Sequence, residues 1–190
     1  MPPTSRDRLL DAAVDLLQRQ GYHGTGLNEL LERSGAPRGS LYHYFPGGKE
    51  EIGAEAIARA GDQVAAAVAH LMRAKPTAAD AVQALAGLLA AGLEASDFER
   101  GCPVATTALE VTPRSEPIRA AVQASFESWL APLREGLEAA GFGAEEATRR
   151  ADLAIAALEG ALVLARARQN ADVLRAAGRQ LRPLLQPPED

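Results

Sequence analysis

Through most of this 190-residue chain the apolar residues recur at three- and four-residue spacings, and no run alternates cleanly with period two. That pattern confines the fold to packed helices, because a sheet needs faces that alternate residue by residue. Val, Ile and Thr are sparse, while Ala, Leu, Glu, Arg and Gln dominate, in line with helix propensity. Glycines and prolines cut the pattern into segments. The spacing predicts about nine helices, over residues 5–20, 27–34, 37–44, 49–73, 78–95, 103–111, 116–140, 144–169 and 171–185. Thr4 with Asp7 makes a capping box for the first, in which Leu9, Ala12, Ala13, Leu16 and Leu17 form one apolar face. Gly21 is placed to end it, Gly26 or Thr25 to cap the second, Thr77 the fifth and Asn170 the last. Pro132 is expected to kink the seventh.

Apolar residues make up 47% of the chain, so it can bury a core. A single cysteine, Cys102, forbids an intrachain disulfide and fits a reducing, cytoplasmic location. No 18-residue apolar run is free of charge, and the N-terminus carries Arg6, Asp7 and Arg8 where a signal peptide has an apolar run; neither a membrane nor a targeting segment is expected. The net charge of −5 is unevenly spread. Residues 1–50 balance six cations (Arg6, Arg8, Arg19, Arg33, Arg38, Lys49) against six carboxylates, so the excess of acid lies beyond. That balance argues against nonspecific coating of nucleic acid, while leaving room for a small local contact surface near the N-terminus.

Such a surface is visible in "SGAPRGSLYHYFPGGKE", residues 34–50. Of eight Phe, Tyr and Trp residues in the chain, three fall here. A helix, a Gly35 turn and a second helix give helix-turn-helix spacing. On the second helix Leu41 and Phe45 are four apart and share a face. The opposite side presents Arg38, Gly39, Ser40, Tyr42 and His43, with Tyr44 at its flank. These are short or flat polar groups suited to phosphate oxygens and base edges, and Gly39 permits close approach of the backbone. Lys49 and the start of the next helix follow, placed for a further phosphate. Aromatics in a helix are more often core, but three consecutive ones point in three directions and cannot all be buried by one short helix.

The stretch "GYHGTGLNELLERSGAPRGSLYHYFPGGKEEI" resembles the DNA-binding domain of TetR-family transcriptional regulators: a Gly-aromatic end to helix 1, a Thr at the start of helix 2, a Gly-Ser-Leu-Tyr-X-Tyr-Phe recognition helix, and a Lys-Glu pair opening helix 4. "YHYFPGGKE" and "GCPVATTALE" resemble the branch named after LmrA and YxaF. Gly26 departs from the Ser or Thr common in the wider family. The resemblance implies an all-α chain with a three-helix DNA-binding domain over residues 1–48 and a helical ligand-binding and dimerisation domain over 49–190. It implies a homodimer on a double-stranded DNA operator, released by a small-molecule effector. By the same analogy the DNA contacts are Thr25, Asn28, Arg38, Gly39, Ser40, Tyr42, His43, Tyr44 and Lys49.

The C-terminal part resembles the family only loosely. Its last two helices carry small and aliphatic residues: Leu153, Ala154, Ala157, Leu158, Ala161, Leu162, Ala165, Val173, Leu174, Ala177 and Leu181. In the family such helices pair with their copies in a four-helix interface; otherwise these faces are buried within one chain. Effector contacts are expected among His70, Met72, Leu89, Leu93, Phe98, Cys102, Thr106, Thr107, Glu110, Phe126 and Trp129, a mixture suited to a flat aromatic or amphipathic molecule, although Phe126 and Trp129 serve equally as plain core. An alternative is a redox-responsive regulator sensing through Cys102, which lies near Arg100. Catalysis has little support: His23, His43 and His70 have no metal-ligand spacing, and no phosphate-cradling glycine loop is present. No cofactor and no metal is expected.

Overall fold

Thr4 starts the first helix by accepting the Asp7 N–H at its hydroxyl, 3.1 Å, while the Asp7 carboxylate accepts the Thr4 N–H at 3.2 Å. These bonds hold the Asp7 carboxyl below the usual carboxylate range, the Thr4 hydroxyl contributing most. The structure, a computed structural model, describes residues 3–186. Among them are nine α-helices and no strand. They are α1 Ser5–Gly24, α2 Leu27–Ser34, α3 Arg38–Tyr44, α4 Lys49–Ala74, α5 Ala78–Ala95, α6 Pro103–Val111, α7 Glu116–Ala139, α8 Ala144–Arg168 and α9 Asp172–Leu181, followed by a 3₁₀ turn, Arg182–Leu184. The expected all-helical architecture is therefore the observed one.

Two boundaries differ from expectation by more than one residue. Helix α1 does not stop at Gly21; it breaks there, at φ 72° and ψ −176°, and adds one more turn to Gly24. Helix α9 ends at Leu181 rather than near Leu185, because Pro183 has no N–H to continue the ladder and the chain tightens into a 3₁₀ turn. Asn170 Oδ1 accepts the Asp172 N–H at 2.9 Å, so its side chain serves the start of α9 from just outside it.

Packing divides the chain into two compact units. Among the described residues the first is 3–62 with Cys102–Phe126, and the second is Gln63–Gly101 with 127–186. In the first unit α1 packs against α2, α3 and α6. Leu9, Leu16, Leu30, Leu41, Phe45, Ile52, Ile57 and Ile118 form its core. Each such side chain contributes roughly 1.5–3 kcal/mol by leaving water. In the second unit α5, α8 and α9 pack together around Leu85, Leu93, Leu158 and Leu174, with Trp129, Leu133 and Leu137 also buried. The α5–α9 crossing is close: a Cβ on Gly178 would lie 2.7 Å from the Ala86 Cβ. Among the described residues α5 is the one helix long and apolar enough to cross a membrane, and eight of its residues lie in this core.

Candidate nucleic-acid interface

The two-helix hairpin is shaped by its turn. Gly35 closes α2 in the left-handed region at φ 59°, where a side chain is strained. Ser34 Oγ donates to Leu31 O at 3.0 Å and accepts the Ala36 N–H at 3.2 Å, so the buried turn keeps its polar groups satisfied. Pro37 is extended and sits just outside α3, one position earlier than expected, and its ring pre-sets the entry to the helix.

Helix α3 is seven residues long and strongly two-sided. Leu41 and Phe45 are both 0% exposed. Tyr42, between them in sequence, is 63% exposed, and Arg38, Gly39, His43 and Tyr44 are exposed too. His43 and Tyr44 meet edge to face with ring centroids 4.9 Å apart, which orders both rings at the surface. A Cβ on Gly39 would touch nothing, so the fold itself does not need a glycine there. Ser40 is half-buried, and Asn28 is exposed in the first turn of α2.

The cations of this unit divide by partner. Arg6 pairs with Glu55, Arg33 and Arg19 with Asp15, and Arg59 with Asp7 and Asp11. Among the described residues Arg38 has no carboxylate partner, so its guanidinium is available to an outside anion. Thr25 and Lys49 are placed differently. Thr25 is buried, and its hydroxyl donates to Gly21 O at 2.7 Å. Lys49 is half-buried, with Nζ 4.6 Å from the centroid of the Tyr22 ring. Burial pushes its pKa down, and the charge of Glu110 opposes that shift. Near the start of α4 the Gly47 N–H already donates to Glu51, at 2.8 Å.

The residues expected to meet an effector fall in both units. In the first, Cys102 is half-buried and its Sγ accepts the Ala105 N–H at 3.4 Å, capping α6. Thr106 donates to Cys102 O at 2.9 Å. Thr107 is fully buried, and its Oγ1 has no partner among the described residues. Glu110 accepts backbone N–H groups of Tyr22 and His23, and Phe126 is half-buried. In the second unit Leu93 and Trp129 are buried, Met72, Leu89 and Phe98 half-buried, and His70 exposed. Asp97 and Phe98 both hold positive φ, 51° and 60°, an uncommon state for side-chain-bearing residues. Among the described residues no group of three or more His, Cys, Asp or Glu is arranged to hold a metal.

Of the residues expected at a dimer interface, Ala154, Leu158, Ala161, Leu162, Ala165, Leu174 and Leu181 are buried within this single chain, and Ala157, Val173 and Ala177 are half-buried. Leu153 is 49% exposed. It continues into a stripe along α8 that the sequence reading passed over: Ala156, Gly160, Val163, Leu164 and Ala167 are all exposed, with Val163 at 65%. Their spacing of three, four and seven puts them on one face. Because Glu159 is the sole charged residue between Leu153 and Ala165, periodicity there could not tell the inward face from the outward one.

The sequence pattern of the bacterial regulatory proteins of the tetR family matches residues 9–56, and that of the LmrA/YxaF-like regulator C-terminal domain matches residues 78–180. The transcriptional regulator LmrA of Bacillus subtilis is 35% identical over 170 residues, covering 90% of each chain. YxaF of the same organism, an uncharacterised regulator, is 38% identical over 160 residues, 84% of each. Among solved structures a TetR regulator from Legionella pneumophila superposes with a TM-score of 0.85 over 98% of this chain and 100% of that one, at 22% identity. CifR, solved as a cysteine mutant complexed with 26-bp double-strand operator DNA, superposes with a TM-score of 0.75 over 92% of this chain and 94% of its own, at 28% identity.

Proposed function

Because the chain belongs to the TetR family of bacterial transcriptional regulators, in its LmrA/YxaF-like branch, we propose that it is a cytoplasmic repressor that grips its operator as a homodimer and releases it when a small, largely apolar or aromatic effector binds. Its families and relatives are regulators, not enzymes. Residues 1–48 serve as the DNA-binding domain and residues 49–190 as the effector-binding and dimerisation domain. The observation that carries the DNA reading is the two-sidedness of α3: Leu41 and Phe45 wholly buried, Arg38, Gly39, Tyr42, His43 and Tyr44 turned outward.

In this reading α3 enters the major groove. Arg38 meets a phosphate or a guanine edge, and Tyr42 and His43 read base edges or a thymine methyl. Asn28 and Ser40 add backbone contacts, with Lys49 placed beside them at the start of α4. Two copies of α3 must reach half-sites about 34–36 Å apart or a multiple of that. The exposed stripe of α8 supplies the face on which two chains meet, with α9 beside it.

The effector acts through differential affinity: it must prefer a conformation whose paired recognition helices no longer match the groove spacing. Helix α4 begins at Lys49, follows directly on α3 and contributes to both packing units, so it is the natural carrier of that change. Thr107 supports a polar handle for the effector, because a buried hydroxyl without a partner costs about 1–3 kcal/mol that a ligand acceptor or an ordered water would recover.

The test is selection of a duplex from a random-sequence library with the full chain, followed by titration at several salt concentrations. A defined sequence should emerge, with affinity falling by roughly 0.9 in log K per log unit of salt for each phosphate contacted. Arg38→Ala should reduce that slope by about one. Failure to enrich any sequence, or a slope near zero, would contradict the proposal.

A further inference from the structure

The break in α1 is the point on which the helix-turn-helix hangs, and the group that holds it comes from α6. Gly21 turns the backbone out of the helix, so the next N–H groups no longer meet the carbonyls four residues back. Tyr22 N–H and His23 N–H both donate instead to Oε2 of Glu110, at 2.6 and 3.1 Å. Two successive amides converging on one carboxylate oxygen make a nest, and the bonds are charge-assisted. Gly21 is needed there twice. Its φ of 72° disfavours a side chain, and a Cβ would fall inside contact distance of Glu110 Oε1.

Other elements take their positions from the same place. Thr25 donates to Gly21 O and so ties the start of α2 to the break. The Tyr22 ring lies against Gly53, where a Cβ would be 2.8 Å from Cε2, and carries the Lys49 ammonium on its face. Both Gly53 and Lys49 belong to α4. Beside Lys49, Glu50 accepts the hydroxyl of Ser115, which lies just before α7, at 2.6 Å. The starts of α2 and α4, which bracket the recognition helix, are thus referenced to one backbone break. Glu110 is the charged group that fixes it.

We propose that Glu110 is a positioning residue for operator binding: its carboxylate, touching no DNA, holds the Tyr22–His23 amides and thereby sets the helix-turn-helix against α6. The inference rests on the reading of α3 as the DNA-contacting helix. It also makes α6 a second connection into the DNA-binding domain, alongside α4, and spends Glu110 on that connection rather than on an effector.

Glu110→Gln keeps the reach and an acceptor oxygen while losing the charge. Glu110→Asp keeps the charge and loses one methylene of reach. Both are compared with the wild-type chain on the selected duplex, with amide hydrogen exchange at Tyr22 and His23 and the salt slope of binding measured on each. Affinity is expected to follow amide protection. The Gln variant should stay within about threefold of wild type with both amides protected; the Asp variant should lose about tenfold, with fast exchange and an unchanged salt slope. A variant that loses protection yet binds as wild type overturns the proposal, and so does one that keeps protection yet binds poorly. Should the Asp variant not fold, Glu110→Ala, which removes the acceptor of both amides, takes its place under the same rule. A Tyr42→Ala control separates the two levels: if it binds as wild type, the α3 reading has failed; if it weakens binding while affinity ignores amide protection, only the role of Glu110 has failed.

Discussion

Leu41 and Tyr42 are neighbours in sequence and opposites in environment, one wholly buried and the other 63% exposed. That contrast was legible beforehand, because a seven-residue helix packed on one side cannot hide consecutive aromatics. Thr25 and Glu110 were not legible in the same way. Thr25 reads as a helix-start residue, and its hydroxyl is spent on Gly21 O because α1 breaks rather than ends. Glu110 meets α1 across 88 residues of chain, and no local pattern announces such a pair. Thr107 gives the prediction at this scale. Thr107→Val is nearly isosteric and removes a buried hydroxyl that has no partner among the described residues, so thermal unfolding should show unchanged or raised stability, by up to about 3 kcal/mol. A loss of more than about 1 kcal/mol would show that the hydroxyl has a partner in the folded protein.

At the scale of elements, capping chemistry and glycine placement located most helices, and long-range packing decided the rest. Thr4 and Thr77 cap as their sequences imply, with Asp7 and Asp80 three residues on. The faces of α8 could not be assigned, because its middle, Leu153 to Ala165, is apolar all round except at Glu159. Helix α5 offers a test by pH. The Thr77 hydroxyl and then Arg182 hold the Asp80 carboxyl below its ordinary value. A lowered folded-state pKa stabilises above the unfolded value of about 3.9, and that contribution is lost as pH falls through the lower folded value. Asp80→Asn should therefore melt below wild type at neutral pH, with the gap closing under pH 4. A gap that stays constant from pH 7 to pH 3 would contradict the assignment. The site is open to solvent, so added salt should narrow the gap as well.

For the whole molecule, a chain of net charge −5 that binds an anionic duplex must do so through a small, well-placed surface. In the proposed homodimer two such surfaces act together, and the exposed stripe of α8 is the face proposed for that pairing. Val163→Glu with Leu164→Glu places two carboxylates on that stripe. Sedimentation should then show a monomer with unchanged helix content, and operator affinity should fall steeply; a persistent dimer would move the interface elsewhere. DNA contact through α3 is tested directly by anisotropy titration of the selected duplex with the triple variant Arg38→Ala, Tyr42→Ala, His43→Ala, its fold and oligomeric state checked against wild type. A correctly folded dimer that has lost sequence-specific binding is expected. A triple variant that still binds that duplex with wild-type affinity would contradict it.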